Sequence, residues 1–261
     1  MAHRQNAASG RRSRFRARTV WPYHGRMSEQ PNFPDDPGFL EGKPAAVTLA
    51  GPAGAIEAIV EAPEPDVEAR PVVAVICHPL PTEGGTMHNK VVTMAARALH
   101  QSGVGTVRFN VRGVGASEGA FDDGEGEADD LRAVVAWVRR ERPNAQLWLA
   151  GFSFGSYVAY KVAAELKPGM LVMIAPPAGR GYGFDAVTPF DGPWLVIQGE
   201  ADEVVDPQKV YAWVDGLPQP PELVRIPDTS HFFHRRLMDL RGAVKNGVRP
   251  YLPAATPAAD G

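Results

Sequence analysis

The sequence predicts an α/β layered fold built on a mainly parallel sheet, and three observations carry that expectation. Short β-branched runs alternate with longer stretches of helical period along most of the chain, as strands and crossover helices do in such sheets. The run Val72–Cys77 is apolar at every position, which suits a strand covered on both faces. The length of 261 residues and a hydrophobic fraction of 44% suffice for a full core.

Taken in order, residues 45–50 and 55–61, split by Gly51-Pro52-Ala53-Gly54, predict an opening antiparallel hairpin. Val72–Cys77 is the first central strand. Residues 87–101 place Val91, Met94, Ala95, Ala98 and Leu99 at i, i+3, i+4, i+7 and i+8, which is one apolar helix face. A strand at 104–109 leads to a helix at 125–142, with Leu131, Val134, Val135 and Val138 on one side. Then come a strand at 146–150, a helix at 154–167 and strands at 170–175 and 194–198. A helix at 207–214, a strand at 223–226 and a helix at 233–248 close the series. The expected total is about eight strands and six helices, with right-handed crossovers between the parallel strands.

The two ends read differently. The first 26 residues hold Arg4, Arg11, Arg12, Arg14, Arg16, Arg18 and Arg26 and no acid; removing that charge of +7 from the formal net charge of −3 leaves −10 for the remainder. A domain that acidic has no general attraction for nucleic-acid phosphate, and no nucleic-acid partner is expected. Arg11-Arg12 has the look of an export signal, yet Phe15-Arg16-Ala17-Arg18 stands where an apolar stretch of about 7 to 15 residues is needed. We read residues 1–43 as a disordered basic and Pro-rich extension, 44–252 as the folded domain and 253–261 as a disordered tail. No apolar run approaches the roughly 18 to 20 residues of a membrane span. The single cysteine, Cys77, excludes a disulfide scaffold, and a cytoplasmic location is expected. A third glycine is missing from Gly113-Val114-Gly115 and no phosphate-loop motif occurs, so no cofactor is expected. The acids between Glu118 and Asp130 lack calcium-loop spacing and cluster where a helix begins, so no metal is expected either.

Ligands of parallel sheets sit at the carboxyl ends of the strands. Past the strand at 146–150 comes Gly151-Phe152-Ser153-Phe154-Gly155, a GxSxG between strand and helix, whose tight turn pushes the serine out above the sheet. A serine hydroxyl needs a base, and the base needs a carboxylate to hold its tautomer. Asp202 follows the strand at 194–198, and His231 follows the strand at 223–226, in the order serine, acid, histidine. Asp202 is preferred because Asp206 stands before Pro207 like a helix N-cap; Asp206 and Glu203 stay in reserve. The oxyanion of acyl transfer needs N–H donors. Phe154, after the nucleophile, is one; in Cys77-His78-Pro79-Leu80-Pro81 the flanking prolines have no N–H, which leaves Leu80 as the other.

With these residues in place, the chain resembles an α/β-hydrolase, and more narrowly the compact, lidless bacterial carboxylesterase-like hydrolases. The resemblance covers about residues 45 to 252. It rests on His78-Pro79-Leu80-Pro81, Gly84-Gly85-Thr86-Met87, Asn110 to Ser117, the GxSxG, Gly199 to Asp202 and Ser230-His231-Phe232-Phe233. It departs from other branches in reading HPLP where they have HGG-type sequence. The resemblance implies a serine hydrolase acting on carboxylic esters of small or medium acyl groups, with a peptidase, a thioesterase or a non-catalytic binding protein as alternatives. The partner is a small-molecule ester, and a homodimer is left open. Fewer than about 20 residues separate the strands at 170–175 and 194–198, too few for a cap domain. Phe152, Pro176, Pro177 and Phe184 are expected to line the substrate pocket.

Overall fold

The structure, a computed structural model, describes residues 44–255. The extension read at residues 1–43 lies outside the described residues, as do residues 256–261 of the tail. Pro253, at the start of that tail, has a carbonyl that accepts a hydrogen bond from Arg70 at 3.0 Å.

Eight strands form one sheet: β1 (Ala45–Gly51), β2 (Gly54–Glu61), β3 (Val72–Cys77), β4 (Gly105–Phe109), β5 (Gln146–Phe152), β6 (Met170–Ile174), β7 (Trp194–Gly199) and β8 (Glu222–Ile226). Their spatial order is β1-β2-β4-β3-β5-β6-β7-β8. The first two form the expected hairpin, and β2 also runs antiparallel to β4. From β4 to β8 every neighbouring pair is parallel. All parallel strands therefore release their chain at one edge of the sheet, where the residues discussed below converge.

Among the described residues there are five α-helices: α1 (Lys90–His100), α2 (Glu125–Glu141), α3 (Phe154–Leu166), α4 (Pro207–Asp215) and α5 (Leu237–Val248). Three short 3-10 turns at Pro81–Glu83, Phe184–Ala186 and Arg249–Tyr251 complete the set, so the expectation of about six helices is corrected to five. Two starts also move. Helix α1 begins at Lys90 rather than near Met87, because the Asn89 side chain accepts the Val91 N–H and caps it. Met87 is held outside the helix: its N–H donates to Asn110 Oδ1 and its carbonyl accepts from Arg108. Helix α5 begins at Leu237 rather than near Phe233, because Phe233 and Arg235 take left-handed φ angles of 54° and 59° that no α-helix accommodates.

The alternation along the strands splits the core in two. Val73, Val75, Leu147 and Leu149 face α2, α3 and α4, whereas Val72, Ala74, Ile76, Trp148, Ala150 and Phe152 face α1 and α5. Each fully buried aliphatic side chain contributes about 1.5 to 3 kcal/mol relative to exposure. Residues 175–193 cross from β6 to β7 with only one short turn and no cap domain.

Candidate active site

Ser153 occupies the junction between β5 and α3 with φ 50° and ψ −121°, a conformation that costs a non-glycine residue energy and is held by its surroundings. Crowding explains the two glycines of the motif. A Cβ on Gly151 would meet the Gly155 carbonyl oxygen at 2.3 Å, and one on Gly155 would meet the carbonyl oxygens of Cys77 and His78 at 2.4 Å. The turn is anchored from the next strand, since the Ser153 N–H donates to the Ile174 carbonyl at 2.8 Å.

The loops after β7 and β8 bring a carboxylate and an imidazole to this serine. His231 Nε2 lies 3.1 Å from Ser153 Oγ, and His231 Nδ1 lies 2.8 Å from Asp202 Oδ2. With the carboxylate placed to accept the Nδ1 proton, Nε2 is the ring nitrogen that faces the serine hydroxyl and can take its proton. The two loops are tied together directly: the Ala201 N–H donates to the Thr229 carbonyl at 3.1 Å, and the His231 N–H donates to Glu203 at 3.1 Å.

Asp202 is surrounded by donors. Oδ1 accepts from the Val204 and Val205 N–H groups at 2.9 and 2.7 Å, and Oδ2 accepts from Gln198 Nε2 at 2.9 Å as well as from His231. Burial pushes its carboxyl pKa up, but the bonds from His231, Val205 and Gln198, with the charge of His231, outweigh burial and hold it below the ordinary aspartate value. Of the two acids held in reserve, Glu203 reaches the backbone of His231 and not its ring. Asp206 caps α4 by accepting the Gln208 N–H.

On the opposite side of the serine, the loop after β3 is organised by His78. Its Nδ1 donates to the Pro79 carbonyl at 2.7 Å, while its Nε2 accepts from the Val111 N–H at 3.2 Å. Accepting at Nε2 requires the neutral ring, and burial pushes its pKa down to about 4 against the raising effect of the Pro79 bond. In a trans peptide the C=O and N–H point opposite ways, so holding the Pro79 carbonyl turns the Leu80 N–H away from His78. Gly85 closes this loop with an N–H to the Leu80 carbonyl at 3.0 Å, and a Cβ there would meet the Pro79 oxygen at 2.0 Å.

Known proteins share this frame. A protein-family model described as serine aminopeptidase, S33, matches residues 71–182. An uncharacterized protein of Rickettsia prowazekii is 32% identical over 207 residues, spanning 75% of this chain and 85% of the relative. A solved structure from Xanthomonas campestris, an α/β serine hydrolase without a lid, is 61% identical with a TM-score of 0.80, spanning 85% of this chain and 100% of that one. The chain belongs to the α/β-hydrolase superfamily. At 20% identity and a TM-score of 0.70, Est1E from Butyrivibrio proteoclasticus, solved with ferulic acid bound, shares the fold over 79% of this chain and 99% of its own.

In this hydrolase the serine and the histidine open into a cavity of about 460 Å³. Pro177, one of the four residues read as pocket lining, stands in its wall beside Leu80, together with Tyr182, Val204, Val205 and Phe232, which the sequence did not single out for the pocket. Three of the expected pocket residues are corrected. Phe152 is fully buried and does not line the cavity; its ring lies 5.0 Å from that of His231 and packs against the imidazole. Pro176 is buried and stays behind Pro177 in sequence without reaching the lining. Phe184 packs into an aromatic cluster with Tyr157, Tyr160 and Trp213 at centroid distances of 5.3, 5.8 and 4.9 Å, which removes it from the cavity. Phe154 itself is buried, leaving only its backbone at the serine. Gln198 was also missed as a contributor; a polar side chain near the end of an otherwise apolar strand was the signal available.

Proposed function

We propose that this hydrolase cleaves carboxylic esters of small or medium acyl groups through an acyl-enzyme intermediate. The observation that carries the proposal is the continuous chain of hydrogen bonds from Ser153 Oγ through His231 to Asp202, opening into a cavity of about 460 Å³. Ser153 Oγ attacks the acyl carbon while His231 Nε2 takes the hydroxyl proton, and Asp202 stabilises the resulting imidazolium. The negative charge that develops on the carbonyl oxygen is met by the N–H groups of Phe154 and Leu80. Collapse of the tetrahedral species breaks the bond to the leaving alcohol, which departs with the proton from His231. Water, deprotonated by the same nitrogen, then attacks the acyl-serine, and the acid is released as Ser153 recovers its proton. Side chains, two backbone amides and water supply every group the reaction needs. A cytoplasmic location belongs to the same proposal and rests on the one thiol, Cys77, which is free and buried.

Amide substrates form the second reading, favoured by the serine aminopeptidase description of the matching family model. The first experiment is hydrolysis of p-nitrophenyl esters of increasing acyl length by the purified chain, normalised by titration with a fluorophosphonate. Ser153→Ala and His231→Ala should each lower turnover by about 10⁴-fold or more. Labelling at Ser153 without ester turnover moves the assignment to amides or thioesters. A folded protein that takes no label is a binding protein of this fold.

A further inference from the structure

A second cavity, about 510 Å³, shares Gly84, Asn89 and Phe232 with the one that holds Ser153. Its lining also contains His88, Lys90, His234 and Arg235, and no Asp or Glu. That composition stands out in a chain where acids outnumber Lys plus Arg by 30 to 27 and where seven of the arginines lie in the first 26 residues. The charged ends of Lys90 and Arg235 form no ion pair or hydrogen bond among the described residues, whereas Arg108, Arg112 and Arg132 are each paired with a carboxylate.

The backbone at this rim is strained. Arg235 sits at φ 59°, two residues after Phe233 at φ 54°, and glycine would adopt either conformation without strain. The position of the cavity also selects one end of a substrate. His231 hands its proton to the leaving oxygen, so the leaving group lies on the His231 side of the scissile bond. The Phe232 ring stands edge-on against His231, centroids 5.0 Å apart at 90°, and belongs to both cavities.

We infer that this second cavity is a subsite for an oxyanion, carboxylate or phosphate, carried on the alcohol portion of the ester and bound by Lys90 and Arg235. The inference rests on the ester reading above and narrows it to esters of negatively charged alcohols. Guanidinium and ammonium groups bind such oxyanions through charge-assisted hydrogen bonds, the guanidinium in a bidentate fork.

The test uses the full chain and four esters that share one acyl group: a neutral alcohol, a carboxylate-bearing isostere, a phosphate-bearing isostere and one bearing a quaternary ammonium. The expected result is a kcat/KM for at least one anionic ester about ten- to a hundredfold above the neutral ester, carried mainly by KM and shrinking as salt is added. The ammonium ester should fall below the neutral one. In the double variant Lys90→Gln with Arg235→Gly, the anionic-to-neutral ratio should collapse to about one. The ratio is taken within one enzyme preparation, so partial loss of folded protein cancels. Arg235→Gly also relieves backbone strain. Which anionic ester gains more separates carboxylate from phosphate. Turnover of all four esters at similar kcat/KM, or a ratio that survives the double variant, overturns the subsite and leaves the ester reading intact. No turnover of any ester by a chain that takes the fluorophosphonate label overturns the ester reading, and the subsite with it.

Discussion

The two sides of Ser153 are held in place by opposite means. On the His231 side the anchor is a charge: Asp202 is ionised, buried and met by four hydrogen bonds, from Val204, Val205, Gln198 and His231. On the Leu80 side the anchor is neutral: His78 spends one donor on the Pro79 carbonyl and one acceptor on the Val111 N–H, and stays uncharged. The difference follows from what each side does in the proposed reaction. The first must stabilise an imidazolium, which needs a full negative charge; the second must aim a backbone N–H, which needs only a fixed peptide plane.

Removing the charge should have the largest effect. Asp202→Asn keeps the shape but offers an amide where the imidazole proton must be accepted, so we expect kcat to fall about 10⁴-fold with the fold retained, read from ester turnover per labelled site. A loss below tenfold would mean that Asp202 is not the orienting acid. His78→Ala frees the Pro79–Leu80 peptide, and kcat should fall about 10²- to 10³-fold while KM stays within about threefold. His78→Asn, whose side-chain N–H also reaches a near carbonyl, should recover part of that loss; wild-type kcat in the alanine variant would detach His78 from the donor side.

Acid separates the two anchors. The folded-state pKa of His78, about 4, lies below the ordinary 6.5, so the stability of its neutral ring is whole above pH 6.5 and is lost as pH falls from 6.5 toward 4. The loss amounts to about 3 kcal/mol and should appear as a falling urea midpoint across that window, flattened in His78→Asn. Asp202, held below the ordinary aspartate value, contributes stability that persists above that range and fails only in stronger acid. The smallest effect should come from Gln198→Leu, which leaves Asp202 with three of its donors and lowers kcat about five- to tenfold.

Much of this was legible in the sequence, for reasons that can be located. The strands β3 and β5 are buried on both faces and read as unbroken apolar runs, and the glycines around Ser153 are there because backbone oxygens lie within 2.4 Å of where a side chain would begin. Asp206 was separable from Asp202 because Pro207 marks a helix start in sequence as it does in space. The failures share a cause as well. The left-handed turn at Phe233 and Arg235 carries no glycine to announce it, so the closing helix was expected four residues early. Phe184 looked like a pocket aromatic because its partners Tyr157, Tyr160 and Trp213 come from α3 and α4, far away along the chain. Gln198 sits within a strand, where a polar residue reads as an exception until the carboxylate beside it is seen.

The short crossing at residues 175–193 has a kinetic meaning. With no cap domain between β6 and β7 to swing aside, the product of the proposed reaction should escape by ordinary diffusion, orders of magnitude faster than typical turnover. Bond making and proton transfer should then pace the proposed reaction, so a viscous solvent should leave kcat where it is, while heavy water should slow it.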